Sequence, residues 1–336
     1  MMSINQKAVN KDSWRRFRKN PLALGGGLII CFLIFLALFA DVLSNNQPLV
    51  MKYHGEVYFP VFRTYLVKTG VLSWPSDLLN VDFKKLDYDW AVFPPIPYTA
   101  TNIDLAHPLM PPSVQHWLGT DEIGRDVLAG IIHGSRYSLS VGLVAVGIYI
   151  LIGLILGALA GYYGGWTDLA ISRMTELVLT FPTFFLIITV IAFLPPSIFI
   201  IMVAIGMTGW PEVARFTRGE FLKLRQMDYI HATKALGFGD GRTIFYHLLP
   251  NALAPIIVIA VFGVAGAILV ESSLSFLGFG VPATTVTWGS ILSHARGNTF
   301  AWWLAVFPGL AIFTTVTAYN LVGEGLRDTL DPRLKD

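Results

Sequence analysis

Six long runs without a charged side chain limit the folds that are open to this chain. The runs are 21–40, 138–160, 177–194, 197–211, 251–270 and 301–322. A helix of about 20 mostly apolar residues crosses the roughly 30 Å hydrocarbon layer of a bilayer. Charged residues make up 14% of the 336, against roughly 25% in soluble domains. The sequence therefore predicts an all-α integral membrane protein with six transmembrane helices.

Lysine and arginine accumulate in two segments, and their positions predict the topology. The first 20 residues hold six of them, 215–242 holds another six, and 271–300 holds only Arg296. Short positively charged segments resist translocation across the membrane. Both basic segments are therefore predicted to face the cytoplasm. The residues of the first are Lys7, Lys11, Arg15, Arg16, Arg18 and Lys19.

An even number of spans makes this topology self-consistent. It places three segments on the cytoplasmic side: 1–20, the loop 215–250 and the tail 323–336. The run 21–40 is longer than the apolar region of a secretory signal, and no A-x-A-like cleavage site follows it. We therefore expect that run to stay as the first transmembrane helix.

Residues 41–137 form the one long segment outside the predicted spans and are expected on the far side of the bilayer. Prolines and aromatic residues recur through it, which predicts a small folded extracytoplasmic insert. "VMKYHGEVYFPVF" predicts two short strands around a His54-Gly55 turn, because β-branched and aromatic residues flank a glycine. We expect a hairpin at 53–60 on the outer mouth of the spans. Two interpretations stay open for the insert: it contacts a soluble partner, or it shields the spans.

A repeat of glycines indicates how the second span packs. Gly153, Gly157 and Gly161 recur every four residues and share one helix face. Small residues at this spacing let two helix backbones approach closely. Helix packing is therefore the favoured interpretation, and a pore-lining face is the alternative.

Several other classes of protein fit the sequence poorly. The net charge of +2 is too small to indicate nucleic acid binding, and the single cysteine, Cys31, has no partner for an intrachain disulfide. Neither a G-x-x-x-x-G-K-[ST] loop nor an H-E-x-x-H pair is present. A passive channel would need charged rings, whereas Glu212, Arg215 and Glu271 lie near span ends, where we expect their charges to reach water.

The stretch "HATKALGFGDGRTIFYHLLPN" at 231–251 carries more local structure than a loop between two spans needs. A short amphipathic helix is predicted there from four residues at helical spacing. They are Tyr229, Ala232, Thr233 and Leu236. Gly237 stands where a helix can end in the left-handed conformation, with Phe238 placed for the hydrophobic contact of a Schellman cap. Asp240 is the predicted N-cap of a second helix that runs to Pro250.

From the residues alone, this helix pair has two interpretations. It can lie on the lipid headgroups, or it can dock against a partner protein, because both roles produce an amphipathic helix. The residues resemble the EAA loop of bacterial ABC importer permeases, in which E-A-A-x-x-x-G is followed by a hydrophobic-x-L-P ending. The matching positions here are His231, Ala232, Thr233, Gly237 and Leu249-Pro250. His231 and Thr233 depart from the general pattern.

The resemblance implies a role for this stretch. In that family the loop is a coupling helix, which inserts into a cleft of a cytoplasmic ATPase. The residues that it implies here are Tyr229, His231, Ala232, Thr233, Ala235, Leu236, Gly237 and Asp240.

Four further segments resemble one branch of the family, the importers of oligopeptides, dipeptides and nickel. They are similar to the second, C-type permease subunit of those importers. The segments are "HWLGTDEIGRDVLAGIIHGSRYSLSVG", "GYYGGWTD", "ESSLSFLGFG" and "LVGEGLRDTLDPRLK". The insert, with "MKYHGEVYFP", further resembles the subgroup that imports oligopeptides and the peptide-nucleotide antibiotic microcin C.

These resemblances imply a non-catalytic subunit of an importer in the bacterial inner membrane. They imply a homologous permease, a cytoplasmic ABC ATPase that binds ATP and Mg, and an extracytoplasmic peptide-binding protein as partners, and no cofactor in this chain. Thr314, Thr317 and Asn320 in the last span are candidates for lining the substrate path. A dipeptide or nickel permease is the nearest alternative, and an intramembrane enzyme is a more distant one.

Overall fold

The computed structural model describes residues 15–79, 81–282 and 284–330. From Pro21 onwards its helices are α1 (Pro21–Leu38), α2 (Ala40–Leu43), α3 (Pro60–Lys68), α4 (Val127–Tyr163), α5 (Gly165–Thr180), α6 (Thr183–Ala192), α7 (Ile198–Arg225), α8 (Asp228–Ala235), α9 (Asp240–Arg242), α10 (Leu249–Leu277), α11 (Trp288–His294) and α12 (Trp303–Leu330). Three short strands, β1 (Val50–Tyr53), β2 (Glu56–Tyr58) and β3 (Trp90–Val92), form one sheet. A 3₁₀ turn at Ser76–Leu78 and a π-helical segment at Thr243–Leu248 complete the regular structure.

Five helical stretches are long and apolar enough to cross a membrane, and a sixth is present if α5 and α6 together form one span. These two helices bend by 81° at the break between them. The break falls at Phe181 and Pro182, where Phe181 is extended at φ −91° and ψ 133°. Proline disfavours the helical conformation in the residue before it. The predicted all-α fold is therefore confirmed, and five or six candidate spans agree with the predicted six.

The helices extend well beyond the charge-free runs. Helix α4 begins at Val127 and not at 138, and α7 continues through Pro211 to Arg225 and does not stop at 211. Helix α12 likewise continues to Leu330. A charge-free run shows which residues can lie in the hydrocarbon layer of a membrane. The backbone hydrogen bonds of a helix continue equally well through charged residues. The helices therefore continue past the predicted spans at these ends, and the bounds of the spans themselves stay a prediction.

The chain divides into two compact units. The first unit holds Leu139–Gly280, together with the described residues up to Cys31 and those from Phe313 onwards. One of its cores gathers side chains from α4, α7 and α10 and from the chain between α7 and α10. Its buried members are Ala158, Tyr162, Phe221, Ile230, Leu248, Ala252 and Ile256.

The glycine face of α4 packs directly against α7 in this unit. A methyl group added to Gly153 would lie 2.8 Å from the carbonyl oxygen of Trp210, and one on Gly161 would lie 2.6 Å from the Cβ of Phe221. A methyl group on Gly157 would lie 2.6 Å from the Cβ of Thr217. The packing interpretation of these glycines is therefore confirmed.

The second unit holds Phe32–Ser138 and Val281–Ile312 and contains the sheet. The predicted hairpin is present, since β1 and β2 pair antiparallel with Tyr53 opposite Glu56. The turn residues His54 and Gly55 have φ of 50° and 82°, the left-handed values that a two-residue hairpin turn requires. Strand β3, which sequence reasoning missed, pairs with the other edge of β1. The hairpin occupies 50–58, and Pro60 begins α3.

The "HWLGTDEIGRD" segment forms a compact polar turn in the second unit. The Asp121 carboxylate accepts hydrogen bonds from the amides of Ile123 and Arg125 at 3.0 and 2.8 Å and from the Arg125 Nε at 2.7 Å. Buried His116 contacts the Asp126 carboxylate at 2.8 Å. The polar residues of this segment therefore have a structural role, because a buried carboxylate needs several donors.

Candidate functional site

The chain between α7 and α10 forms a helix, a glycine turn and a second helical segment. Helix α8 is anchored by Ile230, and the π-helical segment is anchored by Leu248, and both side chains are fully buried in the α4–α7–α10 core. The residues between them, 234–242, are mostly exposed. The loop is therefore held firmly at two points and presents its middle to the outside of the chain.

Gly237 has the left-handed conformation that the sequence predicts, with φ 76°. The Phe238 amide donates to the Thr233 carbonyl at 3.1 Å, and the Gly237 amide donates to the Lys234 carbonyl at 3.0 Å. These two hydrogen bonds define a Schellman cap. A methyl group on Gly237 would meet nothing within 4 Å. The backbone conformation, and not a shortage of space, therefore favours glycine here.

The residues of the predicted amphipathic face of α8 are not all buried. Thr233 is buried and Tyr229 is half-buried, whereas Ala232 and Leu236 are exposed, with Leu236 at 72%. Ile230 is the main anchor, because it is fully buried. Helical spacing gave the correct period but included two residues from the exposed side.

The exposed side of the loop carries the other candidate residues. His231, Ala232, Ala235 and Leu236 are all exposed, and so are Gly237 and Asp240. Phe245 and Tyr246 on the π-helical segment are 65% and 77% exposed and were missed by sequence reasoning. Their signal was two adjacent aromatic residues in a helix next to a polar turn. The exposed surface of the loop therefore combines small and apolar residues with the charged side chains of Lys234, Asp240 and Arg242.

Tyr229 lies on the inner side of α8. Its phenol oxygen is buried and has no hydrogen-bond partner within the described residues. Burial raises the pKa of this phenol above its ordinary value, because removal from water disfavours the charged form. Tyr229 thus helps to fix α8 against the core, and its part in a docking surface stays a prediction.

Asp240 does not cap the second helix, so the predicted N-cap is wrong. It is the first residue of α9. The N-cap position is Gly239, which has no side chain to accept a capping hydrogen bond. The Asp240 carboxylate instead accepts a hydrogen bond from the phenol of Tyr162 at 2.6 Å. The Asp240 carboxylate therefore binds a phenol of α4 and not the amides of its own helix. Tyr162 was missed, although it lies in the "GYYGGWTD" segment.

The second helical segment also ends differently from the prediction. It does not stop at Pro250, since the π-helical segment leads directly into α10, which begins at Leu249. Pro250 lies in the first turn of α10, where a residue without an N–H group is tolerated. The second half of the loop is therefore the start of a long apolar helix.

The residues predicted to line a substrate path lie on α12. Thr314 is exposed, and Thr317 and Asn320 are half-buried. Ala318 on the same helix is packed against α1, because a methyl group on Gly26 would lie 2.7 Å from its carbonyl oxygen. The three candidates therefore remain reachable, and their role in a path stays a prediction.

The three charged residues near the spans differ in exposure, and one of them departs from the expectation. Glu271 is fully buried in α10 and accepts a hydrogen bond from Ser275 at 2.8 Å, so the expectation that it reaches water is wrong. Glu212 and Arg215 are exposed but lie inside α7 and not at its end. Within the part of the chain that the structure describes, no group of three or more His, Cys, Asp or Glu side chains is placed to hold a metal ion.

Five or six apolar helices, a close-packed glycine face and an exposed, capped loop between two long helices define a multi-pass membrane subunit. Residues 153–336 match the family model of binding-protein-dependent transport system inner membrane components, and residues 10–56 match that of the N-terminal transmembrane domain of oligopeptide transport permease C. The chain belongs to this family of inner-membrane transport components.

Curated relatives match the chain over nearly its whole length. The dipeptide transport system permease protein DppC of Alkalihalophilus pseudofirmus is 36% identical, over 97% of this chain and 90% of the relative. The inner membrane ABC transporter permease protein YejE of Escherichia coli is 35% identical, over 96% of this chain and 97% of the relative. The oligopeptide transport system permease protein OppC of Bacillus subtilis is 33% identical, over 99% and 93%.

Proposed function

We propose that this chain is the second permease subunit of an ATP-driven importer of peptides or peptide-like compounds. It would form half of the translocation path, and a homologous permease would form the other half. The observation that carries the proposal is the exposed, glycine-capped loop between α7 and α10, in a chain whose relatives are named for dipeptide and oligopeptide transport. The narrower microcin C substrate rests on the insert and stays a prediction.

The chemistry of such an importer belongs to its partners. A cytoplasmic ABC ATPase would bind ATP and Mg and hydrolyse the ATP, and an extracytoplasmic binding protein would deliver the peptide. Closure of the ATPase would move the coupling loop and switch the access of the path from one side to the other. Under this proposal the N-terminus, the loop and the C-terminus face the cytoplasm, and the chain itself catalyses no reaction.

The exposed cations of the loop suit both lipid headgroups and a partner protein, and its small exposed residues support docking against a partner. An interfacial helix presents Lys and Arg to anionic lipids. Lys234 and Arg242 are both exposed, with the Lys234 amine 5.5 Å from the centre of the Tyr162 ring and the Arg242 guanidinium 4.3 Å from the centre of the Phe238 ring. Small exposed residues such as Ala232 and Ala235 allow another protein to approach the helix closely.

Purification of the tagged chain from its native membrane tests this proposal. We expect a second permease and an ABC ATPase to co-purify, and the complex in proteoliposomes, with its binding protein, to accumulate labelled peptides when ATP is supplied. ATP hydrolysis by the chain alone, or a complex without an ATPase, would contradict the proposal.

A charge on the exposed face of the loop provides a sharper test. Leu236→Asp should abolish co-purification of the ATPase while leaving the chain at its normal level in the membrane, because Leu236 is 72% exposed and a charge there is unpaired in an apolar interface. The matched control is Leu105→Asp, an equally accessible leucine at 75% in the insert. Normal ATPase binding by Leu236→Asp would show that this face is not the docking surface.

A further inference from the structure

Three segments of the first unit meet at one side chain, Tyr162. This residue lies in the last turn of α4 and is 6% exposed. Its phenol donates a hydrogen bond to Asp240 at 2.6 Å, and its backbone carbonyl accepts one from the Arg225 Nη1 at 2.8 Å. Tyr162 therefore joins the end of α4, the end of α7 and the loop.

The ring of Tyr162 is fixed before its hydroxyl group is considered. It packs in the core with Phe221, Ile230 and Leu248. The residue before it, Gly161, brings α4 against α7 so closely that a methyl group there would lie 2.8 Å from the Arg218 carbonyl oxygen. This packing thus holds the Tyr162 ring in place relative to α4.

The glycines of the loop around Asp240 lie in open space, and within the loop Phe238 stacks on His247 at 6.0 Å between ring centres. Methyl groups added to Gly237, Gly239 or Gly241 would each meet nothing within 4 Å. Among the described residues, the bond to Tyr162 is the one side-chain hydrogen bond that ties 236–242 to another part of the chain. A hydrogen bond to a carboxylate is roughly twice as strong as one between neutral groups.

We propose that Tyr162 is the positioning residue that passes movement of the coupling loop to α4, through its hydrogen bond to Asp240. The inference rests on the proposed function, because it assigns the route by which that loop would act on the membrane helices. An ATPase that pulls on the exposed loop displaces Asp240. The hydroxyl group of Tyr162 then carries the displacement to the packed α4–α7 pair.

Tyr162→Phe separates this role from packing, because it keeps the ring and removes the hydroxyl group. In proteoliposomes of the complete transporter, we expect the peptide accumulated per ATP hydrolysed to fall about tenfold, the effect of one lost charge-assisted hydrogen bond. The amount of bound ATPase should stay unchanged. Asp240→Ala should give the same loss, and the double variant should lose no more than either single variant.

Tyr163→Phe is the matched control, since Tyr163 is the neighbouring tyrosine and is 52% exposed. We expect it to keep the normal ratio of peptide to ATP. A normal ratio in Tyr162→Phe, or losses that add in the double variant, would overturn the inference.

Amide hydrogen exchange in the purified complex tests the same bond without transport. Residues 236–243 should exchange faster in Tyr162→Phe than in the wild type or in Tyr163→Phe, because the loop then opens more readily. Unchanged exchange would overturn the inference even if the wild type transports peptides. Failure of the wild type to transport peptides would instead count against the proposed function, and the exchange result would still decide the role of Tyr162.

Discussion

At Gly237 the backbone adopts a φ of 76° in an open environment, so substitutions there test backbone conformation alone. The left-handed conformation costs a residue with a side chain roughly 1–2 kcal/mol. The cost is smaller for Asn and larger for a β-branched residue. We therefore expect ATPase binding and uptake to decline in the order Gly237→Asn, Gly237→Ala, Gly237→Val. The variants should reach the membrane at near-normal levels, which immunoblotting would check.

Gly239 supplies the internal control for that series. Its φ of −66° suits any residue, and a methyl group there also meets nothing within 4 Å. Gly239→Ala should therefore keep ATPase binding and uptake close to normal. Equal effects at the two glycines, or full ATPase binding and peptide-stimulated ATP turnover in Gly237→Val, would mean that the loop geometry is not the coupling element.

Gly237 and Asp240 also show which details of the site a sequence can predict. The cap at Gly237 depends on residues within one helical turn, and local sequence predicted it correctly. Asp240 depends on Tyr162, which lies 78 residues away in the chain. Prediction of an N-cap from sequence considers only the amides of the next few residues, so it could not include a phenol from a distant part of the chain.

The glycines of α4 allow a comparison within one helix. Gly157 is closed off by α7, since a methyl group there would lie 2.6 Å from the Cβ of Thr217, whereas one on Gly147 would meet nothing within 4 Å. Gly157→Ala should destabilise the chain by about 1–3 kcal/mol through overpacking. Gly147→Ala should be neutral or stabilise it by up to about 1 kcal/mol, because alanine is the better helix former.

Thermal unfolding of the detergent-solubilised variants would measure this difference. Opposite shifts in Tm for the two alanine variants are expected. A Tm for Gly157→Ala as high as that for Gly147→Ala would show that α4 and α7 are not in close contact at this level.

Whole helices were easier to predict than their ends. A run without charge requires an apolar environment, so five of the runs each located one helix, and 177–194 located the bent pair of α5 and α6. The ends of α4 and α7 depend on hydrogen bonds that continue past Pro211 and past charged residues. The bend between α5 and α6 had a local signal in Pro182, but its angle of 81° depends on packing.

The second unit is assembled from segments that are far apart in the chain, and its strand β3 was not predictable for that reason. The pairing of β1 with β3 joins Val50 to Val92. A strand of three residues is too short for its alternation of apolar and polar side chains to indicate a distant partner. The hairpin of β1 and β2, by contrast, is specified by its own turn.

Excision of the sheet tests what the insert contributes to transport. Ser44 and Ile96 form a β-bridge, with the Ile96 amide donating to the Leu43 carbonyl at 3.1 Å, so the ends of the segment between them already meet. Replacement of 46–95 by a short glycine turn should preserve membrane insertion and ATPase binding and impair peptide uptake. Uptake assays and ATPase co-purification would measure both effects.

A point variant controls for the shortened chain. Met51 is fully buried in the small core of the sheet, so Met51→Asp should unfold the sheet and reduce uptake as the excision does. Val57 is 53% exposed on the neighbouring strand, and Val57→Asp should have little effect. Normal uptake after both the excision and Met51→Asp would show that the sheet is dispensable.

The bridge between Ser44 and Ile96 also bears on how such a chain can evolve. The segment begins and ends at adjacent points, because Ser44 and Ile96 are paired. The entropy cost of closing this segment therefore changes only slowly with its length. Insertions and deletions at such a place disturb little of what flanks them. A change in the length or sequence of this segment can therefore alter the surface that it presents while the helices on either side of it are kept.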